Sequence, residues 1–314
     1  MGYSEQINSF TQIFKTMIKF LIKVALFFAI LIVVDKVSGY AFSYLSENSK
    51  GGYTGHYHYL VDKTNEDVLV FGSSRAIHHY NPRIISDSLG MSCYNCGQNG
   101  NGIVLFYGWW QMIKERYQPK MIIYDITTDF DLLKGEDNHK YLGWLKEAYD
   151  RKGVQDVFLS VDKTERYKMV SQMYRYNSKW HQVVADYIYP LYVVEENGFF
   201  PLKGSIDPMK VRKNVNLTQP FEFDQLKLDY LKKLVDEIGD TKLVFVVSPS
   251  IYGLNARQLE PVRELCLKKD IPFYDFSNDK KYVHNSEYFK DGSHLNAVGA
   301  DEFTKELVKL LKNE

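Results

Sequence analysis

The stretch DVLVFGSSRAIHHYNP, residues 67–82, predicts how the fold begins and contains the first group of candidate polar residues. After its first residue the chain is apolar as far as Gly72, which predicts a buried strand that ends at a tight turn. Ser73 and Ser74 follow directly, before a segment of helical character. A serine at such a turn is exposed at the edge of a sheet, but Gly-Ser-Ser turns also commonly cap helices. Both interpretations stay open at this point.

Short apolar segments alternate with segments of helical periodicity through most of the chain. This alternation predicts a three-layer α/β/α domain with a parallel, flavodoxin-like sheet. In such sheets the ligand site lies at the carboxyl ends of the strands. The predicted strands are 67–72, 91–97, 120–126, 242–250 and 271–277, and the predicted helices are 81–88, 103–117, 224–238, 255–269 and 296–312.

The overall composition describes a globular chain without an excess of either charge. Among 314 residues, Lys and Arg number 39 and Asp and Glu number 39, so no nucleic-acid partner is expected. Cys93 and Cys96 form a CxxC in a segment predicted to be extended, where they would lie roughly 10 Å apart. That separation exceeds the bridging distance of a disulfide, so we expect these two cysteines to be structural.

The N-terminal region contains an apolar segment, MIKFLIKVALFFAILIVV, from Met17 to Val34. A helix of this length rises about 27 Å, which is sufficient to cross a bilayer if Lys19 and Lys23 extend toward one surface. The segment therefore predicts a single-pass transmembrane anchor.

The lysines of this region all precede its most apolar part, Val24–Val34. By the positive-inside rule the N-terminus stays cytoplasmic, and the rest of the chain is extracytoplasmic or periplasmic. A cleaved signal peptide is the alternative, with small residues at Gly39 and Ala41 as candidate cleavage positions. Both alternatives place the folded domain outside the cytoplasm.

The chain is predicted to contain an anchor and a folded domain joined by a stalk. Residues 1–36 form the cytoplasmic tail and anchor, 37–65 a juxtamembrane stalk, and 66–314 the α/β domain. The segment 131–223 departs from the strand–helix alternation and predicts a mostly helical insertion. Its many aromatic residues either stack on sugar rings or form the core of the insertion itself.

A second group of polar residues lies near the C-terminus, in KDGSHLNAVGADEF, residues 290–303. Asp291 and His294 are three residues apart in one loop, so both side chains can face the same point. The helix that begins at Asn296 would anchor this loop. Its predicted core-facing residues are Val298, Phe303, Leu307, Val308 and Leu311.

Between these two groups, the second predicted strand leads into the glycine-rich loop NCGQNGNG. Glycines allow backbone N–H groups to approach a ligand closely, and such groups can bind an oxyanion. With Ser, a glycine loop and Asp-x-x-His in this order, the chain resembles the SGNH/GDSL hydrolase superfamily. The resemblance is strongest to its membrane-anchored branch linked to envelope polysaccharide O-acetylation, and it covers roughly residues 66–130 and 240–312.

The resemblance implies a role for five residues. Ser74 matches the nucleophile within FGSSR, His294 the general base and Asp291 the residue that orients it. Gly100 matches the oxyanion-hole glycine within NCGQNG, and the Ser74 backbone N–H would be a second donor. Asp129 falls at the position of the oxyanion Asn of the family.

Two positions depart from the family pattern. Ser73 replaces the usual Asp beside the nucleophile, a residue that does not perform the attack. Asp129 lies in YDITTDF where the family has GxND, and a carboxylate there would repel the developing negative charge. Alternatively Thr127 or Thr128 supplies the donor, or the alignment shifts by one residue.

The resemblance implies a serine acyl-enzyme that transfers or hydrolyses O-acetyl esters on cell-envelope or exported polysaccharide. It requires no cofactor and no metal, and it implies a polytopic membrane acyltransferase as a partner. The alternative is a catalytically degenerate carbohydrate-binding or scaffold subunit of an envelope polysaccharide-modification system, which the carboxylate of Asp129 favours.

Overall fold

The computed structural model describes residues 3–135, 137–190, 197–211 and 217–312. Its sheet has five parallel strands in the order β2-β1-β3-β4-β5, which confirms the predicted flavodoxin-like α/β fold. The strands are β1 (Val68–Gly72), β2 (Cys93–Asn95), β3 (Met121–Asp125), β4 (Lys242–Val247) and β5 (Phe273–Asp275).

Helices cover both faces of this sheet and extend beyond it toward the N-terminus. The α-helices are α1 (Tyr3–Glu47), α2 (Gly52–Asp62), α3 (Ser74–His79), α4 (Pro82–Leu89), α5 (Ile103–Ile113), α6 (Thr128–Asp131), α7 (Val154–Val161), α8 (Glu165–Lys168), α9 (Gln172–Tyr176), α10 (Trp180–Ile188), α11 (Gln225–Asp236), α12 (Glu260–Lys269) and α13 (Ala297–Leu311). Short 3-10 helices occur at Asn138–Leu142, Lys146–Ala148, Pro208–Lys210, Ala256–Leu259 and Ser286–Tyr288.

Alternate residues of the central strands point to opposite layers, so the sheet separates two hydrophobic cores. Leu69 and Phe71 of β1 face the core that includes α5 and α11. Val68 and Val70 face the core that includes α13. Both faces are buried because apolar residues continue along each strand, as the sequence predicted.

One residue of α13 departs from its predicted position. Phe303, Leu307, Val308 and Leu311 are buried, as expected, but Val298 is 62% exposed. Val298 lies in the first turn of the helix, where neighbouring Gly299 approaches the Tyr288 backbone instead. In this turn the residue that approaches the Tyr288 backbone is therefore Gly299 and not Val298.

The predicted stalk, residues 37–65, requires a correction. Helix α1 continues through its first part to Glu47, and α2 is folded into the domain. Tyr57, Leu60 and Val61 lie at helical spacing on one face of α2 and belong to the core beside α5. This apolar face explains why the segment packs in place of forming a flexible connection.

The two ends of the helical insertion lie side by side. Leu133 pairs with Phe223 in an antiparallel bridge, and the Asp224 N–H donates to the Leu132 carbonyl over 2.8 Å. Some aromatic residues of the insertion, including Tyr141 and Tyr176, are buried, whereas others, including Trp180, are exposed. The aromatic residues therefore form a core and also supply a surface.

Candidate active site

The nucleophile turn is built where β1 meets α3. Gly72 adopts φ +143°, and a Cβ there would lie 2.8 Å from the Asp125 carbonyl oxygen, so the neighbouring strand approaches too closely for a side chain. Ser73 is buried, caps α3 by accepting from the Arg75 N–H, and shares a 2.7 Å hydrogen bond with Thr127 Oγ1. Ser74 is the first residue of α3 and is half-buried.

The loop before α13 holds the second part of the site. Asp291 Oδ1 accepts from the Ser293 and His294 N–H groups over 2.8 and 2.9 Å, which closes a tight turn. The Lys290 N–H donates to the His294 carbonyl, and Asn296 caps α13 by accepting from the Gly299 N–H. The turn therefore fixes the positions of both Asp291 and His294.

These two loops bring three of the predicted residues into one hydrogen-bonded group, here named the surface triad: Ser74, His294 and Asp291. His294 Nε2 lies 2.8 Å from Ser74 Oγ, and His294 Nδ1 lies 3.0 Å from each carboxylate oxygen of Asp291. These partners indicate the tautomer: Nδ1 carries the proton, and the lone pair of Nε2 faces the hydroxyl. Their catalytic roles stay predictions.

The surface triad is open to solvent on its carboxylate side. The side chain of Asp291 is 51% exposed and that of His294 is 23% exposed. Partial burial raises the pKa of Asp291, but hydrogen bonds from the His294 ring and the Ser293 backbone outweigh it, so this pKa lies below its usual value. Asp291 is therefore ionised at neutral pH, which favours the orientation of His294 given above.

The glycine loop after β2 runs beside the end of β1. The Cys96 N–H donates to the Val70 carbonyl, and the Gln98 N–H donates to the Gly72 carbonyl over 3.0 Å. Gly100 adopts φ +65°, and a Cβ there would point into open space. The positive φ explains the glycine; its predicted place in the oxyanion hole stays a prediction.

The third predicted loop follows β3, and it contacts the nucleophile turn through Thr127. Thr127 Oγ1 bonds to Ser73, whereas the Asp129 side chain is exposed and its carbonyl accepts from Lys227 Nζ over 2.8 Å. The assignment of Asp129 to the oxyanion hole stays a prediction. The contact with Ser73 favours Thr127, one of the two threonines given above as alternative donors.

Asp131 positions Thr127, and sequence reasoning missed it. Its buried carboxyl group accepts from the N–H groups of Thr127 and Ile103 and from the Tyr124 hydroxyl, each over 2.7 Å. Burial raises the pKa of Asp131 to about 7. An acidic residue in a loop normally indicates solvent exposure, so only its contacts reveal this role.

Beneath the surface triad lies a second group of the same residue types, here named the buried cluster: His79, Ser248 and Asp125. His79 Nδ1 bonds to Ser248 Oγ over 2.9 Å, and His79 Nε2 accepts from the Leu295 N–H over 2.9 Å. Asp125 accepts from the Ser248 N–H. Tyr80 Oη donates to the same oxygen, and the Arg75 side chain donates to the Ser248 carbonyl and hydroxyl.

From the sequence, the adjacent histidines His78 and His79 beside the nucleophile turn are predicted to be surface or substrate contacts, and for His79 this prediction is wrong. His79 is fully buried, and both ring nitrogens have partners within the protein. Burial holds its pKa well below 6.5, and the nearby Arg75 charge adds to the effect. His78 is also largely buried, and its ring lies edge-on to that of His294 at 5.2 Å.

One group in the insertion has residue types suited to a metal. His139, Asp162 and Glu165 have side-chain ligand atoms within 4.8 Å of one another. Lys168 Nζ already lies 3.3 Å from the Asp162 carboxylate and 2.7 Å from that of Glu165. Because an ammonium group balances both carboxylates, we assign this group a structural role.

Comparison with known proteins gives distant structural similarities alone. No family model matches the chain, and no curated protein matches it in sequence. A Streptococcus pneumonia protein provisionally named as a platelet activating factor has 12% identity and a TM-score of 0.40, over 90% of this chain and 99% of its own. A family two carbohydrate esterase from Clostridium thermocellum has 10% identity and a TM-score of 0.39, over 80% and 65%.

An acetyl xylan esterase from the rumen bacterium Butyrivibrio proteoclasticus has 9% identity and a TM-score of 0.35, over 78% of this chain and 63% of its own. This chain therefore spans just under two thirds of each of these two esterases. All three similarities are too distant to assign a family or an activity.

Proposed function

We propose that this protein is a membrane-anchored serine acyl-enzyme that transfers or hydrolyses O-acetyl esters on cell-envelope or exported polysaccharide. The observation that carries the proposal is the surface triad. His294 Nε2 lies 2.8 Å from Ser74 Oγ while its Nδ1 faces Asp291, which is the arrangement that activates a serine. The identity of the substrate as a glycan and of the acyl group as acetyl is inferred from the sequence resemblance.

The first step forms an acetyl-enzyme. Ser74 Oγ attacks the acetyl carbonyl carbon while its proton passes to His294 Nε2. The tetrahedral oxyanion then collapses, the bond from the acetyl carbon to the leaving atom of the donor breaks, and His294 returns the proton to that atom; in hydrolysis the leaving atom is a sugar oxygen, and in transfer it belongs to the acetyl donor. Asp291 stabilises the imidazolium that forms between these events.

The second step decides between transfer and hydrolysis. His294 removes a proton from an acceptor, and the acceptor oxygen attacks the acetyl-Ser74 ester. A sugar hydroxyl as acceptor gives an O-acetylated glycan, whereas water gives acetate. In both cases the Ser74 hydroxyl is regenerated, with its proton supplied by His294.

Donors for the oxyanion come from the strand ends around Ser74. We assign this role to the backbone N–H groups of Ser74 and Gly100, with Thr127 as the third candidate beside the predicted Asp129. The bond between Thr127 and Ser73 supports Thr127, because it places a hydroxyl against the nucleophile turn.

The anchor supports the location of this activity. Helix α1 contains a segment, within Phe10–Glu47, long and apolar enough to cross a membrane. We propose that it does so with the N-terminus inside, so the domain acts outside the cytoplasm. A polytopic acyltransferase would then bring acetyl groups across the membrane to Ser74.

A fluorophosphonate probe tests the nucleophile directly, because it reacts with activated serines. We expect labelling of the full-length protein and, after digestion, a modified peptide that contains Ser74. Ser74→Ala should abolish the label, and Ser73→Ala is the matched control that should retain it. Label on Ser73, or label that survives Ser74→Ala, would refute the assignment.

The same experiment separates the enzyme from the non-catalytic alternative. A carbohydrate-binding or scaffold subunit has no need of an activated serine. Absence of label in protein that unfolds cooperatively would therefore favour the scaffold. Incubation with an acetyl donor and an acetyl-acceptor oligosaccharide would then distinguish transferase from esterase by its product.

A further inference from the structure

The end of the apolar segment of α1 is bound directly to the helical insertion. Asp35 follows Val34, the last residue of that segment, and its carboxylate caps the N-terminus of α9. It accepts from Ser171 Oγ over 2.6 Å, from the Gln172 N–H over 2.9 Å and from the Met173 N–H over 3.0 Å. The start of α9 is therefore held at the level of Asp35.

A second contact fixes the same two helices one turn further along. Gly39 is buried, and a Cβ at this position would lie 2.2 Å from Gln172 Cβ. Only glycine allows α1 and α9 to approach so closely. Together the contacts at Asp35 and Gly39 define a rigid junction between the anchor and the insertion.

Apolar side chains surround this junction, and they are exposed except for Phe42, which is half-buried. Val170, which precedes Ser171, is 70% exposed, and the side chain of Met173, whose N–H binds Asp35, is 46% exposed. Beside them, a cavity of about 510 Å³ is lined by Met173, Phe42 and Trp180, among others. Val170, Met173, Phe42 and Trp180 are here named the junction face.

The geometry of α1 indicates how far the junction face lies from the end of the apolar segment. Asp35 is one residue beyond the apolar segment, and a helix rises about 1.5 Å per residue, so Val170 and Met173 lie near the edge of the hydrocarbon layer. Phe42 follows Asp35 by about two turns of α1, where aromatic residues favour the lipid headgroups, and Trp180 lines the same cavity as Phe42. Exposed Tyr40 and Tyr44 of α1 lie at the same level.

We propose that the junction face inserts into the headgroup and acyl boundary of the lipid bilayer. The occupant is lipid, because the apolar residues continue directly from the end of a helix that would itself lie in lipid. This inference rests on the proposal that α1 crosses the membrane. It adds that the insertion, and not the anchor alone, contacts the bilayer.

The consequence concerns how the candidate active site is held. Helix α10 of the insertion connects to α2 through Asp186, which accepts from the Thr54 N–H over 2.8 Å. Helix α2 packs in turn against α5 and the core of the sheet. The domain that carries the surface triad is therefore connected to the junction face through packed helices.

Labels at defined positions of the full-length protein test this inference. Single cysteines would be introduced as Val170→Cys and Met173→Cys, with Ile30→Cys in the anchor and Leu267→Cys on α12 as references. All four side chains are exposed, so these changes leave the core intact. The native cysteines are buried and should react slowly with maleimides, which the unmodified protein would verify.

The measurement is quenching of an environment-sensitive fluorophore on each cysteine after reconstitution into phosphatidylcholine vesicles. Nitroxide-labelled phosphatidylcholine quenches from within the bilayer, and iodide quenches from water. We expect lipid quenching at Val170 and Met173 to approach that at Ile30, with loss of iodide quenching. The label at Leu267 should show the reverse.

Each other outcome overturns a defined part of the inference. Lipid quenching at Ile30 without quenching at Val170 and Met173 would leave the anchor intact and refute the insertion of the junction face. Shielding from both quenchers would indicate contact with a second copy of the chain and would also refute it. No lipid quenching at Ile30 would refute the anchor itself.

Discussion

The surface triad and the buried cluster consist of the same residue types, a serine, a histidine and an aspartate, in adjacent parts of one fold. In the buried cluster both nitrogens of His79 have partners inside the protein, from Ser248 and Leu295. In the surface triad His294 faces the half-buried hydroxyl of Ser74 at the edge of the sheet. The two groups therefore differ in access to solvent and not in residue type, and this difference is the reason for proposing the chemical role for the surface triad.

The pKa values of the two carboxyl groups are also shifted in opposite directions. Burial raises the pKa of Asp125 above its usual value despite the nearby Arg75 charge. Asp291 is half-exposed, and its hydrogen bonds from His294 and Ser293 lower its pKa. The buried cluster supports the surface triad through His79, which binds the backbone of the residue after His294.

The largest effect is expected for a substitution that disrupts the surface triad alone. His294→Gln removes the base that accepts the Ser74 proton, so we expect p-nitrophenyl acetate hydrolysis to fall by about a thousandfold or more. The melting temperature should change little, because His294 is partly exposed. His181→Gln, at an exposed histidine of the insertion, is the matched control that should retain activity. Retained hydrolysis in His294→Gln would contradict the proposed mechanism.

A second substitution disrupts the buried cluster in place of the surface triad. His79→Leu leaves the Leu295 N–H and Ser248 Oγ without their partner, so we expect a loss of about 1–3 kcal/mol in the free energy of unfolding. Urea unfolding measures this loss. Unchanged stability with reduced turnover would contradict the supporting role and would assign His79 to the chemistry.

The stability loss expected in His79→Leu should also depend on pH. The pKa of His79 in the folded protein lies well below 6.5, so below about pH 6.5 the unfolded chain takes up a proton that the folded chain does not. His79 therefore stabilises the fold at higher pH, and this contribution decreases as the pH falls. The stability difference between the unmodified protein and His79→Leu should be larger at about pH 7.5 than at about pH 5.5.

A smaller effect is expected where the third loop contacts the nucleophile turn. Thr127→Val keeps the shape of the side chain and removes the hydroxyl proposed as an oxyanion donor, so we expect hydrolysis to fall by about one to two orders of magnitude. Thr128→Val is the neighbouring control. A rate in Thr127→Val equal to that of the unmodified protein would exclude Thr127 from the oxyanion site, and a reduced rate in Thr128→Val alone would assign the donor to Thr128.

The smallest expected effect concerns Asp129. If its carboxylate opposes the oxyanion, Asp129→Asn should raise hydrolysis of p-nitrophenyl acetate by about tenfold. An unchanged rate would agree with the exposed position of the side chain and would leave Thr127 as the candidate donor. A decrease would indicate a separate role, such as binding a sugar hydroxyl.

The sequence by itself determined the five strands of the sheet and the helices α4, α5, α11, α12 and α13. The central strands β1, β3 and β4 are buried on both faces, which requires a continuous apolar run, as in DVLVFG. Asp291 and His294 could also be found, since a spacing of three within one loop is a local feature. Gly72 and the following helix mark a strand end and left Ser73 and Ser74 as candidates, and the family resemblance then selected Ser74.

Tertiary structure alone decided which polar residues have partners and where the N-terminal segments pack. The contacts of His79 with Leu295, of Thr127 with Ser73 and of Asp35 with α9 join positions far apart in the chain. The segment expected to be a stalk likewise became part of the core, because the partner of its apolar face is α5. Local patterns record which face is apolar, but the partner of that face is determined by the assembled fold.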